Sequence, residues 1–281
     1  MDDDIHKMNC ECIDSLLQSE NWNYGLEIIL IESNKQSRYV YDEQVKILVP
    51  DEMFNFHRFL NIGIKASKSD FVALCNNDII FSKNWFSEIL KVKSKRKDIL
   101  CFSPIDRDYT TMSYDLFPDT KDYYVGWDNK YHFSAWCFVL DRKIFNITGY
   151  LDEIFNFYAA DDDFLMTLRK YALDNALVTK SYVKHLSQQI TKKIDEAKSP
   201  RITDREKYPI PEKYKKQYAW LWDDVRHYEA FFKMERKWGN PKTTKRINRM
   251  LNKFPVLRKR FITKILYGKK MNVFFSKVTR I

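Results

Sequence analysis

The chain has 281 residues, 44% of them hydrophobic and 16% aromatic, enough to bury one large core or two small ones. No apolar run approaches the ~20 residues that span a bilayer, no apolar leader follows the acidic start Asp2-Asp3-Asp4, and the five cysteines read as reduced thiols of a cytoplasmic protein. The net charge of +10 is confined to one place: residues 242–281 hold thirteen Lys or Arg and no Asp or Glu, leaving 35 basic against 38 acidic residues in 1–241. A slightly acidic main domain argues against nucleic acid as its ligand.

Ile5, Met8, Cys12, Ile13 and Leu16 fall at helical spacing, which predicts a helix over 5–19. Leu26 to Ile31 and Val45 to Val49 are short apolar runs of strand length, the first closed by Glu32-Ser33-Asn34 and the second by Pro50. Asp51 is placed to cap a helix whose inner face carries Phe56, Phe59, Leu60, Gly63 and Ile64. A strand over 70–75, a helix near 83–94 and a strand over 98–102 follow. Residues 103–133 are aromatic, rich in Asp and without periodicity, and they read as one long functional loop. Beyond it come a strand over 134–140, a helix over 161–173, a strand over 177–184, a polar stretch over 187–216 and an aromatic helix over 217–238. Alternating helices and short apolar strands predict an α/β domain with a mainly parallel central sheet, here bounded at 1–216, and a helical C-terminal extension over 217–281.

Three segments carry chemistry. The apolar run Phe71 to Cys75 delivers Asn76-Asn77-Asp78 to the mouth of a buried strand, where ligands of open α/β sheets sit. Polar groups there are costly to desolvate unless something binds them, and a hard divalent cation takes such oxygen ligands. Asp161-Asp162-Asp163 opens a predicted helix. Capping and the helix dipole favour Asp there, but one would suffice. Crowded carboxylates hold protons more tightly, which suits a general base. His185 closes the following strand, either as a satisfied structural residue or as a ligand.

Asn61-Ile-Gly63-Ile, Lys68-Ser-Asp70-Phe-Val-Ala-Leu-Cys-Asn-Asn-Asp78, Trp85, Gly149-Tyr-Leu-Asp-Glu-Ile-Phe155, Asp161-Asp-Asp163-Phe and His185, in this order and spacing, resemble the family 2 glycosyltransferases, particularly the rhamnosyltransferase-like members. Phe232-Lys-Met-Glu-Arg-Lys-Trp-Gly239 resembles a late helix of the same enzymes. The resemblance spans about residues 5–240 and implies a GT-A fold, a nucleotide-sugar donor and a divalent metal, Mg²⁺ or Mn²⁺. It implies an inverting transfer of a hexosyl or deoxyhexosyl group to a glycan or lipid-linked acceptor. Asn76-Asn77-Asp78 stands at the family's Asp-x-Asp motif, with Asp78 as the remaining carboxylate ligand and His185 as a further metal or phosphate contact. Asp161 matches the base, with Asp162 as second candidate and Asp163 at the other acidic position of the motif. Glu32, Ser33, Arg58, Asn61, Asn76 and Asn77 are the expected donor-binding residues, with Glu32 otherwise an ordinary turn carboxylate, Asn61 otherwise fixing the loop and Arg58 otherwise solvated. Trp127, Tyr131, Phe133 and Trp136 are either a stacking platform for an acceptor sugar or core.

One departure stands out. Family members begin with an apolar strand that lies centrally in the sheet, whereas this sequence begins at the helix that follows it. Either that strand lies upstream or the sheet has a gap. The basic tail interleaves its cations with Met250, Leu251, Phe254, Leu257, Phe261, Ile262, Ile265 and Leu266, a composition suited to an anionic membrane surface. The alternative to an enzyme at the inner face of a membrane is a catalytically impaired relative that acts as a binding or scaffold protein through this tail.

Overall fold

Strand alternation decides which helices cover which face of the sheet. The computed structural model describes residues 2–37, 39–106, 120–127, 132–186 and 201–239. Helix α1 (Asp2–Ser19) precedes strands β1 (Ile28–Ile31) and β2 (Val45–Leu48), then α2 (Phe56–Ala66), β3 (Phe71–Cys75), β4 (Ile79–Phe81) and α3 (Trp85–Lys95). Strands β5 (Cys101–Asp106), β6 (Tyr123–Val125) and β7 (Cys137–Asp141) lead to the short α4 (Phe145–Thr148), α5 (Ala160–Lys170) and β8 (Asn175–His185). The chain closes with the single turn α6 (Glu212–Lys215), a 3₁₀ turn over Ala219–Asp223 and α7 (Val225–Trp238).

Six strands form one sheet in the order β3-β7-β5-β8-β4, with β6 also on β8. Val72, Leu74, Phe138 and Leu140 point to one face, where they pack with Ile64 of α2 and Phe164, Leu165 and Leu168 of α5. Cys137, Val139 and Phe102 point to the other, where Trp85, Ile89 and Val92 of α3 meet them and Cys12 and Leu16 of α1 close the edge. The α/β class with a central sheet between helices is as the sequence predicts. The strand directions are not mainly parallel: β5 and β8 run parallel, but β3 with β7, β5 with β7, β4 with β8 and β6 with β8 are antiparallel. Apolar runs look alike in either direction, so the pattern could not separate them. Register slips between Pro104 and Ile105, where a proline lacking its N–H sits inside a paired strand.

β1 and β2 form a separate parallel pair, and no described strand bridges them to β3. The pair is tied to the rest by packing and by one carboxylate. Ile31 lies against Gly63, where an added Cβ would sit 3.4 Å from the isoleucine. Glu27 Oε1 accepts from Lys68 N at 2.9 Å and from Ser69 Oγ at 3.2 Å.

Three further expectations need adjustment. Asn55, not Asp51, caps α2, its side chain accepting from Arg58 N, while Asp51 pairs with Lys35 at 2.5 Å. The segment 103–133 is not all loop, because β5 continues to Asp106 and β6 lies within it. Ile210, Tyr214 and Leu221 share one small core, so packing runs across the expected boundary at 216. Residues 187–200 and the basic tail over 242–281 lie outside the described residues.

Candidate active site

Two residues 107 positions apart in sequence meet because β4 leaves β3 and pairs with β8. The register sets Ile79 opposite His185, so Asp78 stands beside the end of β8, and Leu186 N donates to Asp78 O at 2.8 Å. His185 Nε2 then lies 3.2 Å from Asp78 Oδ2, with side chains only 14% and 18% exposed. Trp136 stacks on the imidazole with ring centroids 5.2 Å apart and planes 10° from parallel. Behind the pair, the fully buried Asp106 accepts from His185 N at 3.0 Å, so the backbone carrying the imidazole is anchored as well as its ring.

Asp78 Oδ1 is buried with no hydrogen-bond partner among the described residues. An unsatisfied carboxylate oxygen costs roughly 1–3 kcal/mol or more, an expense that a cation would remove. Among the described residues no three His, Cys, Asp or Glu side chains converge as a metal cage. Asp78 and His185 would therefore supply two ligands, leaving phosphate oxygens and water to complete a hard cation's shell. The residues present fit that arrangement.

The acidic triplet reaches the same end of the sheet. Phe164 stacks on Phe138 at 5.4 Å and lies 6.1 Å from Phe133. Phe138 pairs with Leu74, one residue before the end of β3. Phe164 thus packs against the end of the sheet at which β3 delivers Asn76 to Asp78. Within the first turn of α5 the three carboxylates differ: Asp162 is exposed, Asp161 half-buried and Asp163 buried. Asp163 is consumed inside the protein, accepting from Trp238 Nε1 at 2.6 Å and from Lys237 Nζ at 2.9 Å. Burial pushes its pKa above the usual carboxylate value despite the lysine and indole that pull it down.

The expected donor residues divide. Asn76 and Asn77 stay beside Asp78; Asn76 N donates to Trp136 O at 2.8 Å, and Asn77 Nδ2 donates to Asn9 Oδ1 at 2.8 Å. Asn9 in turn donates to the Tyr41 hydroxyl at 2.8 Å, so a polar chain runs from the strand mouth through α1 to the loop after β1. Arg58 and Asn61 serve the fold instead. Asn61 Nδ2 donates to Leu151 O and Glu153 Oε1, its Oδ1 accepts from Leu151 N, and Arg58 Nε donates to Glu153 Oε2 at 3.0 Å. These four bonds hold the turn before α5. Glu32 follows β1, where its Oε1 accepts from Asn34 N at 2.7 Å, and Ser33 beside it is exposed.

Of the aromatic residues, Trp127 and Phe133 are core, Tyr131 lies outside the described residues, and Trp136 alone reaches the site. Asn9 and Asp106 went unrecognised in the sequence. Asn9 sits on a helix with no motif around it. Asp106 ends an apolar strand, the same signal that singled out Asp78, but Pro104 obscured that strand's extent. A cavity of about 300 Å³ lies elsewhere, lined by His57, Tyr150, Asp152, Asp163, Lys237 and Trp238 among others, and touches neither Asp78 nor His185.

No curated protein sequence matches the chain at a significant level. Among solved structures, GalNAc-T7 with UDP, GalNAc and Mn²⁺ superposes with a TM-score of 0.55 at 14% identity, over 95% of this chain and 54% of that one. The chain thus spans about half the length of GalNAc-T7, and at this identity the likeness speaks for the fold alone. The Pyrobaculum calidifontis mannosyltransferase PcManGT, with GDP-Man and Mn²⁺, gives a TM-score of 0.48 at 12% identity over 98% of this chain and 81% of that chain. S. aureus TarS gives 0.49 at 12% identity over 98% and 84%. Residues 9–149, half of the sequence, match the family described as Glycosyl transferase family 2. The chain therefore belongs to glycosyltransferase family 2.

Proposed function

We propose that this enzyme moves a sugar from a nucleotide-sugar donor to a hydroxyl of a glycan or lipid-linked acceptor, with inversion, at the site formed by Asp78, His185 and the first turn of α5. The observation that carries the reading is Asp78 Oδ1, buried beside His185 with no hydrogen-bond partner among the described residues. Asp78 and His185 would hold Mg²⁺ or Mn²⁺, whose charge, when bound, stabilises the departing diphosphate. GalNAc-T7, which shares the fold, was solved with UDP and Mn²⁺, the same class of ligands.

Asp161 acts as the base. As the acceptor oxygen bonds to the anomeric carbon, its proton passes to the Asp161 carboxylate. The bond from that carbon to the diphosphate oxygen breaks, and the nucleoside diphosphate leaves with the electron pair. Asp162, more exposed in the same turn, is the second candidate. Trp136 stacks on the imidazole, whose Nε2 lies 3.2 Å from Asp78 Oδ2. Asn76 and Asn77 line the donor side.

Screening nucleotide sugars for transfer or hydrolysis, with Mn²⁺ or Mg²⁺ present, tests the reading. Asp161→Asn keeps the shape but cannot accept a proton. It should retain donor binding and lose transfer by roughly 10²-fold or more. Full transfer by Asp161→Asn together with loss in Asp162→Asn would move the base by one residue; transfer by both would remove the triplet from the chemistry. The basic tail over 242–281 is proposed to bring the enzyme to an anionic membrane surface, where a lipid-linked acceptor would be found.

A further inference from the structure

Helix α7 ends on two residues that reach back to a single carboxylate on the catalytic helix. Trp238 Nε1 donates to Asp163 Oδ1 at 2.6 Å. Lys237 Nζ lies 2.7 Å from the same oxygen and 2.9 Å from Oδ2, and it also donates to Asp152 Oδ2 at 2.5 Å. The Asp163 side chain is 1% exposed and that of Lys237 21%, so the pair is largely withdrawn from water. Trp238 and Met234 pack on Met166, one turn further along α5. Indole, ammonium and thioether contacts all fall on the first two turns of that helix.

The same turn holds a strained backbone. Ala159, which begins α5, has φ 62° and ψ 10°, a left-handed conformation in a residue other than glycine. Such a residue costs roughly 1–2 kcal/mol and persists only where surrounding contacts over-determine it. Asp163 N donates to Ala159 O at 2.9 Å, so the carboxylate gripped by α7 belongs to the residue whose amide closes this strained turn. Asp161 and Asp162 lie between the two ends of that bond.

We propose that Lys237 and Trp238 are positioning residues for transfer, clamping Asp163 so that the first turn of α5 holds Asp161 in reach of the acceptor hydroxyl. This rests on the reading of Asp161 as the base. The clamp grips the helix start through the Asp163 carboxylate. Trp238→Phe keeps an aromatic ring against Met166 and removes the N–H donor together with part of the indole's volume. Lys237→Met keeps the aliphatic stem and removes the charge, while Lys237→Arg restores it.

The test uses the full chain and measures kcat and donor KM for transfer, and nucleoside diphosphate affinity with Mn²⁺, on folded protein of each variant. Trp238→Phe and Lys237→Met should each lower kcat about tenfold, the scale of a sub-ångström misplacement. Donor KM and nucleotide affinity should stay within about twofold, and Lys237→Arg should recover most of kcat. The decisive arm is Trp238→Phe placed in an Asp161→Asn background. A clamp that acts through Asp161 has nothing left to position there, so the second change should be silent on kcat. An equal further loss in that background, or a kcat that Trp238→Phe leaves unchanged, overturns the clamp. A normal kcat for Asp161→Asn alone overturns the base assignment instead, so the two failures are distinguishable.

Discussion

Replacing Asp78 by Asn separates the carboxylate's charge from its shape. The substitution keeps an oxygen near His185 Nε2, now 3.2 Å away, and leaves untouched the backbone bond from Leu186 N to Asp78 O. Two terms of opposite sign then act on stability. Losing a hydrogen bond to a charged group costs about 1.5–3 kcal/mol, while removing a buried carboxylate whose Oδ1 has no partner among the described residues returns about 1–3 kcal/mol. The net lies between a loss of about 2 and a gain of about 1.5 kcal/mol, which in a domain of this size moves Tm by no more than about 8 °C. Binding responds differently, because an amide oxygen is a poor substitute for a carboxylate toward a divalent cation. Titration calorimetry of nucleoside diphosphates with Mn²⁺ should show affinity reduced by tenfold or more, about 1.4 kcal/mol. The same titration without metal should be unaltered. A variant with wild-type affinity in Mn²⁺ would refute the assignment, and a loss of more than about 10 °C in Tm would mean that the carboxylate supports the fold rather than a ligand.

Asn61→Ala removes three hydrogen bonds around Leu151 and Glu153, and urea unfolding should show about 2–4 kcal/mol less stability with donor KM hardly changed; a large rise in KM at unchanged stability would return Asn61 to the donor site. His57 is buried, which lowers its pKa below the ordinary 6.5, and Asp152 O lies 2.6 Å from Nδ1. A depressed histidine contributes stability that is present above 6.5 and lost as pH falls toward the folded value. Wild type should therefore lose more stability than His57→Gln between pH 6.5 and 5, and parallel pH profiles would contradict this. A chain ending at Gly239 should fail to sediment with vesicles containing anionic lipid that capture the full chain. Equal sedimentation of the two would detach the membrane proposal from the tail.

The sequence made the helices and most strands legible because their apolar spacing is local. Asp78 was legible for the same reason: a carboxylate that follows an apolar strand stands out in one dimension. His185 was visible only through the resemblance, and its meeting with Asp78 depends on β4, three residues too short to register as a strand. Asp106 and Asn9 depend wholly on pairing across the sheet and on the docking of α1. Arg58 and Asn61 were open to two readings because a polar residue on a helix near a binding strand looks the same whether it faces a ligand or a neighbouring turn. Asp163 shows the converse, since three adjacent aspartates are alike in sequence and become different only when α7 arrives over one of them.

The separation of β1 and β2 from the six-stranded sheet has a kinetic corollary. A strand in the interior of a ladder loses its amide protons only when both neighbours release it, whereas β1 is held by one partner strand, by Ile31 on Gly63 and by the Glu27 carboxylate. This pair should therefore open at lower free energy than the centre of the six-stranded sheet, and in hydrogen exchange its amides should be replaced well before those of β5 or β8. Glu32 and the polar chain from Tyr41 through Asn9 to Asn77 span the seam between that unit and the strand mouth. A nucleotide gripping both sides of the seam would slow exchange in β1 and β2 more than in β5 or β8, making this weakly held pair a sensitive reporter of an occupied donor site.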